Sequence, residues 1–527
     1  MKNKLLTTLF MLLSMTLFAQ EKGVDQQIDE AFKPFSDIIS SIVFFQIAGI
    51  PLVLILLVGS ALFFTLYFGF PNFRYFKTAV NIVRGKYDDI DHHSSGNPEL
   101  AIDGDIIGTI EDESKEGEVT HFQALATAVS GTVGNGNIAG VALAIALGGP
   151  GATFWMIICG LLGMSTKFVE CTLGVQYRDV GEDGTIYGGP MYYLSKGLKE
   201  KGFVMLGKVA AVLFAIFCVG GSFGGGNAAQ SNQATIVLKD LMGLESTNAG
   251  AWIGIVLALL VGVIIIGGIK RIASVTEKVV PFMARTYLLA CIYILLSNFS
   301  LIDDAVALIF SEAFNPTAIG VGSVIGVLLV GFKRAAFSNE AGAGSASIAH
   351  SAVKTKYAAS EGLVALLEPF IDTVVICTMT ALVIIIFNIE GVFEYGGQGA
   401  VLIDGVAYEG AGITSMAFAE YIPFSNVFLT IAVVLFAVST MISWSYYGLQ
   451  SWKFLFGRGK VADLVYKILF LMFVVIGAAA SMKSIWDFSD AMIFAMVFPN
   501  MIGMFFLFPV VKKELIRYLK AINVLKE

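Results

Sequence analysis

The sequence predicts an all-α polytopic membrane protein, and three observations support this fold class. Hydrophobic residues make up 56% of the chain and charged residues only 14%, whereas soluble domains are nearer 45–50% apolar and about 25% charged. Apolar runs long enough to cross about 30 Å of hydrocarbon recur along the sequence. Lysine and arginine also concentrate in alternate loops, as the positive-inside rule requires of a chain that crosses the bilayer repeatedly.

The amino-terminal region is expected to precede the main helical body. Residues 1–20 have the layout of a secretory signal peptide, with two early lysines and then an apolar stretch. An uncleaved short anchor is the alternative. Residues 21–120 are predicted to contain one extra transmembrane helix, at 43–68, and a cytoplasmic acidic loop, at 87–119, to which we assign no chemistry.

Ten further spans are predicted, which makes about eleven transmembrane helices. They lie at residues 122–148, 151–177, 205–237, 251–268, 276–298, 317–345, 358–388, 413–446, 462–482 and 485–510. We group residues 121–298 as a first five-helix repeat, 299–511 as a second, and 512–527 as a cytoplasmic basic tail. Loop charge places the amino terminus outside and the carboxyl terminus inside the cytoplasmic (plasma) membrane.

The first of these spans is interrupted by the segment Ser130-Gly-Thr-Val-Gly-Asn-Gly-Asn137. Each glycine costs roughly 1 kcal/mol relative to alanine inside a helix, and asparagine is also a poor helix former. We therefore predict a helix broken halfway across the membrane. Amides freed at such a break suit a carboxylate, and freed carbonyls suit a cation. The alternative is a glycine-rich seam for close helix packing.

A second interruption, at residues 332–345, opens the second block of five spans just as the first opens the first block. An odd number of spans per block turns the second block upside down relative to the first. Paired broken helices in two inverted halves indicate a secondary transporter with its site near the midplane. The alternative is coincidence between two glycine-rich stretches in a glycine-rich protein.

Other functional classes receive less support from the residues. The five cysteines occur singly in apolar runs, which predicts neither disulfides nor a metal site. No basic aromatic surface indicates nucleic acid, and no obligate protein partner is evident. An enzyme is not expected, because the four histidines map to loops or span ends without a nucleophile. A channel would need a continuous pore, usually with subunit symmetry; a receptor on a transporter scaffold stays open.

Six strings in order along the chain closely resemble the alanine or glycine:cation symporter (sodium:alanine symporter) family, within the amino acid–polyamine–organocation superfamily. They begin at Ser130, Ala146, Gly163, Gly188, Phe337 and Ser439, and include GGPMYY, FSNEAGAGS and STMISWSYYG. The resemblance implies a leucine-transporter-like fold of two inverted five-helix repeats with two broken helices. It also implies symport of alanine or glycine with sodium, or with protons in some members, and no organic cofactor.

A small zwitterionic substrate needs donors for its carboxylate and little room for a side chain. On the break and the resemblance, we expect the amides near Gly134, Asn135 and Gly136 to hold the carboxylate. The amide side chain of Gln230 would reach the substrate from another span. Its alternative role is an interhelical hydrogen bond that fixes packing, worth under about 2 kcal/mol in membrane proteins.

Two aromatic residues, Phe337 and Trp444, are expected to wall a methyl-sized pocket, although membrane aromatics usually serve as core or interface residues. The sodium ion is expected where backbone oxygens of Ser130 and Val133 face the hydroxyls of Ser439 and Thr440. Hard cations prefer oxygen ligands. The alternative for the two hydroxyls is bonding to a carbonyl four residues earlier on their own helix.

Five charged residues in apolar surroundings carry open assignments. Lys167 and Glu170 are predicted to form a structural pair near the inner face, since membrane-buried charges are usually paired or functional. Glu340 could accept hydrogen bonds from amides of the second break or serve as a proton site. Lys333 and Arg334 could form part of a gate or extend to the interface.

Overall fold

The computed structural model describes residues 24–91, 117–181, 184–244, 246, 248–316, 323–397 and 399–524. The predicted signal peptide and residues 92–116 of the acidic loop therefore lie outside the described residues. The described chain is mostly helical, with three short antiparallel hairpins. These are β1 (Gln46–Ile47) with β2 (Ile50–Pro51), β3 (Asp179–Val180) with β4 (Ile186–Tyr187), and β5 (Ala400–Ile403) with β6 (Val406–Glu409).

The α-helices of five or more residues are numbered in chain order. The first ten are α1 (Val24–Val43), α2 (Leu52–Tyr67), α3 (Phe76–Val83), α4 (His121–Thr132), α5 (Val141–Gly148), α6 (Gly151–Gln176), α7 (Val204–Phe223), α8 (Ala229–Met242), α9 (Ala249–Ile265) and α10 (Gly268–Ser297). The others are α11 (Ile302–Phe314), α12 (Val324–Asn339), α13 (Ala346–His350), α14 (Ala358–Ala365), α15 (Thr378–Phe387), α16 (Ala411–Tyr421), α17 (Ser425–Phe456), α18 (Lys460–Ala479) and α19 (Met482–Ala521).

Within the described residues, seven continuous helical segments are long and apolar enough to cross a membrane, and one bent pair adds an eighth. Five are the single helices α6, α10, α17, α18 and α19. Two others each contain a π-helical turn, which we call a widened turn. These turns are Gly224–Ala228 between α7 and α8 and Phe370–Cys377 before α15. The shorter apolar helices α2 and α9 lie where two more spans are predicted. The protein is thus a multi-pass membrane protein, while the count of eleven and the five-plus-five repeat stay predictions.

The first interruption breaks its helix as predicted. Helix α4 begins with a capping box between Thr120 and Gln123 and ends at Thr132. Val133 has ψ 86°, so the backbone leaves the helical path there. The chain resumes in a widened turn, Gly136–Gly140, and α4 is bent by 51° from the helix that follows. Gly131 is still inside α4.

The second interruption is also a break. Helix α12 ends at Asn339, and Glu340 has a left-handed backbone with φ 54°. Gly342 and Gly344 follow at φ 91° and 89°, a region that glycine adopts without the steric cost of a Cβ atom. The chain becomes helical again at Ala346. Gly342 and Gly344 are therefore explained by the left-handed backbone conformation that the break requires at their positions.

The predicted span at 413–446 is wrong as a single helix. The structure has two helices there, α16 and α17, which are separated by Ile422, Pro423 and Phe424. A residue before proline is disfavoured in the helical region, and Ile422 accordingly has φ −122° and ψ 112°. Phe424 then turns the chain with φ 60°. The apolar pattern of the sequence continues from α16 into α17. Hydropathy alone therefore predicts one span.

We expect Gly477→Ala to lower the thermal unfolding midpoint of the purified protein. A Cβ atom at Gly477 of α18 would lie 2.3 Å from the carbonyl oxygen and 2.4 Å from the Cα atom of Ala228. Backbone atoms cannot move aside as a flexible side chain can, and overpacking typically costs 1–3 kcal/mol. Gly459→Ala is the control, because nothing lies within 4 Å of its Cβ position. Equal midpoints for both variants would contradict this close approach.

Candidate functional site

The amides at the first break are hydrogen-bonded by side chains. The N–H of Gly134 donates to Asn137 Oδ1 at 2.9 Å, and the N–H of Asn135 donates to Gln230 Oε1 at 2.9 Å. Gln230 in turn donates from Nε2 to the carbonyl of Gly225 at 2.9 Å. The structure thus brings Gln230 of α8 to the break. Its interhelical hydrogen bond is present, and it occupies one of the amides expected to hold a carboxylate.

Two aromatic side chains lie against the widened turn that precedes Gln230. A Cβ atom at Gly226 would be 2.1 Å from Cγ of Trp444, and one at Gly225 would be 3.4 Å from Cε2 of Phe337. Both rings are buried. The turn between α7 and α8 therefore brings Phe337, Trp444 and Gln230 into one neighbourhood. The absence of side chains on these glycines is what lets Trp444 pack so closely.

Three of the four residues expected around sodium, Ser130, Ser439 and Thr440, meet where α4 crosses α17. The Ser130 hydroxyl donates to the carbonyl of Ser439 at 2.8 Å, and the Thr440 hydroxyl donates to the carbonyl of Ser130 at 3.0 Å. The Ser439 hydroxyl donates to the carbonyl of Phe436, three residues earlier, at 3.0 Å. Ser439 therefore bonds within its own helix, as in the alternative, although to the carbonyl three rather than four residues earlier. The hydroxyl of Thr440 bonds to α4 instead.

Sequence reasoning missed Asp372, a fully buried acid in the widened turn before α15. Its carboxylate accepts from Asn137 Nδ2 at 2.6 Å, from the Ser338 hydroxyl at 2.9 Å and from the Thr373 hydroxyl at 2.6 Å. Asn137 follows the first break and Ser338 precedes the second, so one carboxylate joins both broken helices. An acid within an apolar span was the available signal, because such residues are usually functional or paired.

The charged residues near the second break form the predicted pair of Lys167 and Glu170, together with contacts that were not predicted. Lys167 Nζ is 3.0 Å from Glu368 Oε1 and 3.7 Å from Glu170 Oε1, so Glu368 is its nearer partner. The amide of Gly342 in the second break donates to Glu170 Oε2 at 3.2 Å. Glu340 instead accepts from Trp444 Nε1 at 2.9 Å and from the Ser345 hydroxyl. It is therefore Glu170 that accepts an amide of the broken segment.

Lys333 and Arg334 both reach Asp490 of α19. Lys333 Nζ lies 2.9 Å from Asp490 Oδ2, and Arg334 forms a second ion pair with the same oxygen. The Arg334 guanidinium also lies 5.4 Å from the ring centre of Phe337 and 5.3 Å from that of Trp486. Arg334 is buried, which excludes extension to the membrane surface. The pair therefore connects the expected pocket wall at Phe337 to α19.

Known proteins with similar sequences are transporters. Residues 33–527 match the family model described as the sodium:alanine symporter family. The sodium/alanine symporter AgcS of Methanococcus maripaludis is 39% identical over 465 residues, covering 88% of this chain and 93% of AgcS. The amino-acid carrier protein AlsT of Bacillus subtilis is 33% identical, with 85% of each chain covered. The probable sodium/glutamine symporter GlnT of the same organism is 34% identical, covering 75% of this chain and 77% of GlnT.

Proposed function

The chain belongs to the sodium:alanine symporter family, and we propose that it is a secondary active transporter that carries alanine, glycine or both into the cell together with sodium. The observation that supports this most directly is at the first break. Gln230 of α8 accepts from the amide of Asn135 in the break, and Thr440 of α17 donates to the carbonyl of Ser130 in the last turn of α4 before it. A break contacted by polar groups from two other spans suits a small polar substrate and a cation at the membrane midplane.

The substrate carboxylate would bind the amides of Gly134, Asn135 and Gly136. Gln230 accepts from the Asn135 amide in this structure. In our proposal this hydrogen bond breaks when substrate binds, the Asn135 amide donates to the substrate carboxylate, and the Gln230 side chain contacts the bound amino acid. Phe337 and Trp444 would close the pocket around a hydrogen or methyl side chain. One methylene is worth only about 1–3 kcal/mol of discrimination, so serine is expected to be carried weakly as well.

Sodium would bind the carbonyl oxygens of Ser130 and Val133 and the hydroxyls of Ser439 and Thr440. These groups need no carboxylate, because a hard cation is satisfied by neutral oxygen ligands. Three of these residues already bond to one another between α4 and α17, and the ion would take the place of those bonds. The membrane potential contributes about 2.3 kcal/mol per charge per 100 mV to sodium entry.

Transport would occur by alternating access, with one helical bundle rocking against the other around this site. We assign residues 121–298 and 299–511 to the two inverted repeats of a leucine-transporter-like fold. The amino terminus would lie outside and the carboxyl terminus in the cytoplasm. The carboxylate of Asp372 supports joint movement of the two broken helices, since it accepts from Asn137 and Ser338 at once.

The test is uptake of labelled alanine into proteoliposomes under an imposed sodium gradient, with unlabelled glycine or leucine as competitor. We expect sodium-driven accumulation that glycine blocks and leucine does not. Equal competition by leucine would contradict the small pocket. Absence of accumulation under any gradient would overturn symport and favour a receptor or a channel on this scaffold.

A proton-coupled small neutral amino acid symporter is the second candidate, and Glu340 is the observation that favours it. Its carboxylate is buried and accepts directly from the indole of Trp444 in the expected pocket wall. Protonation of Glu340 would change the charge that Trp444 contacts, and so couple proton binding to the pocket wall. Uptake driven by a pH gradient without sodium, and lost in Glu340→Gln, would support this candidate over sodium coupling.

A further inference from the structure

Two histidines at the ends of the two broken helices share one carboxylate. His121 is the first residue of α4, and His350 is the last residue of α13. Glu361 of α14 contacts Nδ1 of His121 with one oxygen and Nδ1 of His350, at 2.5 Å, with the other. All three side chains are buried. The carboxylate of Glu361 therefore contacts both α4, the first half of one broken helix, and α13, which follows the break in the other.

The other nitrogen of each imidazole faces a further carboxylate. His121 Nε2 lies 3.3 Å from Asp91 Oδ2, and His350 Nε2 lies 3.5 Å from Glu368 Oε2. These two contacts are ion pairs by distance, without the alignment of a hydrogen bond. Glu368 also contacts the ammonium group of Lys167, which extends the series of ionic contacts. We call these six residues the imidazole–carboxylate cluster: Asp91, His121, Glu361, His350, Glu368 and Lys167.

The charge of the cluster depends on its two imidazoles. Three carboxylates and one ammonium carry a net charge of −2, which two imidazolium ions would cancel. A neutral imidazole that donates from Nδ1 would also present the lone pair of Nε2 to a second carboxylate. Buried charge without a partner is strongly unfavourable. The buried arrangement is therefore balanced only when both histidines hold their second proton.

We propose that the imidazole–carboxylate cluster is a proton-binding site that takes up two protons when it closes and releases them when it opens. Separating His121 and His350 from Glu361 would expose the imidazoles to water, where at neutral pH an imidazole is protonated only part of the time. The protons leave the ring nitrogens for water, and they return when the cluster re-forms. Proton release is thereby tied to movement of the two broken helices.

Other ionisable groups face the cluster and act on its charge. Glu170 lies beside Lys167 on the same helix. If its carboxylate is counted with the cluster, the net charge is −1 even when both imidazoles are protonated, which strengthens the requirement for bound protons. Tyr518 of α19 donates to Asp91 Oδ2 at 3.4 Å. Cys171 on α6 interacts electrostatically with Glu361 and Glu368, and Tyr447 on α17 with Glu368 and Glu340. In their ordinary neutral forms, the thiol and the two phenols do not alter the charge balance.

The binding of protons can be tested without transport. We expect the thermal unfolding midpoint of the purified wild-type protein to fall as pH is raised from about 6 to about 9. A proton bound more tightly in the folded state stabilises at low pH, and that stability is lost as pH rises. Glu361→Gln should lose this pH-dependent shift. A merely structural role of Glu361 would instead lower the midpoint equally at every pH.

Glu277→Gln is the matched control, because Glu277 accepts from Gln123 Nε2 at 2.9 Å near the same end of α4 but lies outside the cluster. This variant should keep the wild-type pH profile. His350→Gln is the second variant in case Glu361→Gln does not fold, and it should lose part of the shift. A wild-type midpoint that does not respond to pH, or equal pH profiles in wild type and Glu361→Gln, would overturn the proton site.

The link to transport rests on the proposed function, so it needs a separate measurement. Sodium-driven alanine uptake should vary with the pH on the side where the cluster opens. Glu361→Gln should lose that variation while its uptake still depends on sodium. An unchanged pH profile of uptake in this variant would overturn the link. No alanine uptake by the wild type, together with a pH-dependent midpoint, would overturn the transport function and leave the proton site standing.

Discussion

Replacing both Ser439 and Thr440 with alanine is expected to abolish the sodium dependence of alanine uptake. In the proposed site the two side chains supply two of the oxygen ligands. Hydrogen bonds to charged groups contribute about 1.5–3 kcal/mol each, and we take a similar value for each ion–oxygen contact. The apparent sodium affinity should therefore fall by a factor of about 100 or more. The measurement is the initial rate of labelled alanine uptake against external sodium concentration.

The two single variants should differ, because their hydroxyls are bonded differently. Thr440 donates across the interface to the carbonyl of Ser130, whereas Ser439 donates within its own helix to Phe436. Thr440→Ala should thus weaken sodium binding more than Ser439→Ala. Ser443→Ala is the control, since this buried hydroxyl on α17 makes no hydrogen bond to another described residue. Unchanged sodium dependence in the double variant would remove these residues from the sodium site.

Both interruptions could be predicted from the sequence because their causes are local. Glycine and asparagine at 134–137 oppose a helix by their own backbone preferences, and the helix ends at Thr132. Local preference could not separate the glycines of the break from one that serves packing. Gly131 remains helical, and a Cβ atom there would lie 2.9 Å from the hydroxyl of Tyr447. The packing seam considered as an alternative therefore holds for Gly131.

The buried charges could not be placed from the sequence, because their partners are distant in the chain. His121 and Glu361 are 240 residues apart, and Asn137 and Asp372 are 235 apart. A histidine at the predicted end of a span is equally consistent with a solvated loop. The acidic loop, to which we assigned no chemistry, contains Asp91, which the fold buries beside His121. Only the packing of spans decides which of these groups meet.

Gly134→Ala is expected to abolish alanine uptake while the protein still folds. A Cβ atom at Gly134 would lie 2.4 Å from Thr440 Oγ1 and 3.0 Å from Gln230 Oε1. One methyl group would thus displace a proposed sodium ligand and a proposed substrate ligand together. Overpacking typically costs 1–3 kcal/mol, which a multi-pass protein of this size should survive. Uptake is measured beside the thermal unfolding midpoint, so that lost transport can be separated from lost folding.

Gly136→Ala is the matched control two residues along the same interrupted segment, since alanine keeps the backbone N–H that we assign to the substrate carboxylate. The nearest atom to its Cβ position is Cα of Ser338 at 3.4 Å, which is an ordinary contact. Both variants add the same methyl group and remove the same glycine flexibility, so a difference between them isolates the contact with Thr440 and Gln230. If both abolished uptake equally, the flexibility of the segment would matter more than this contact. If Gly134→Ala transported normally, the substrate and sodium sites could not both lie beside Gly134.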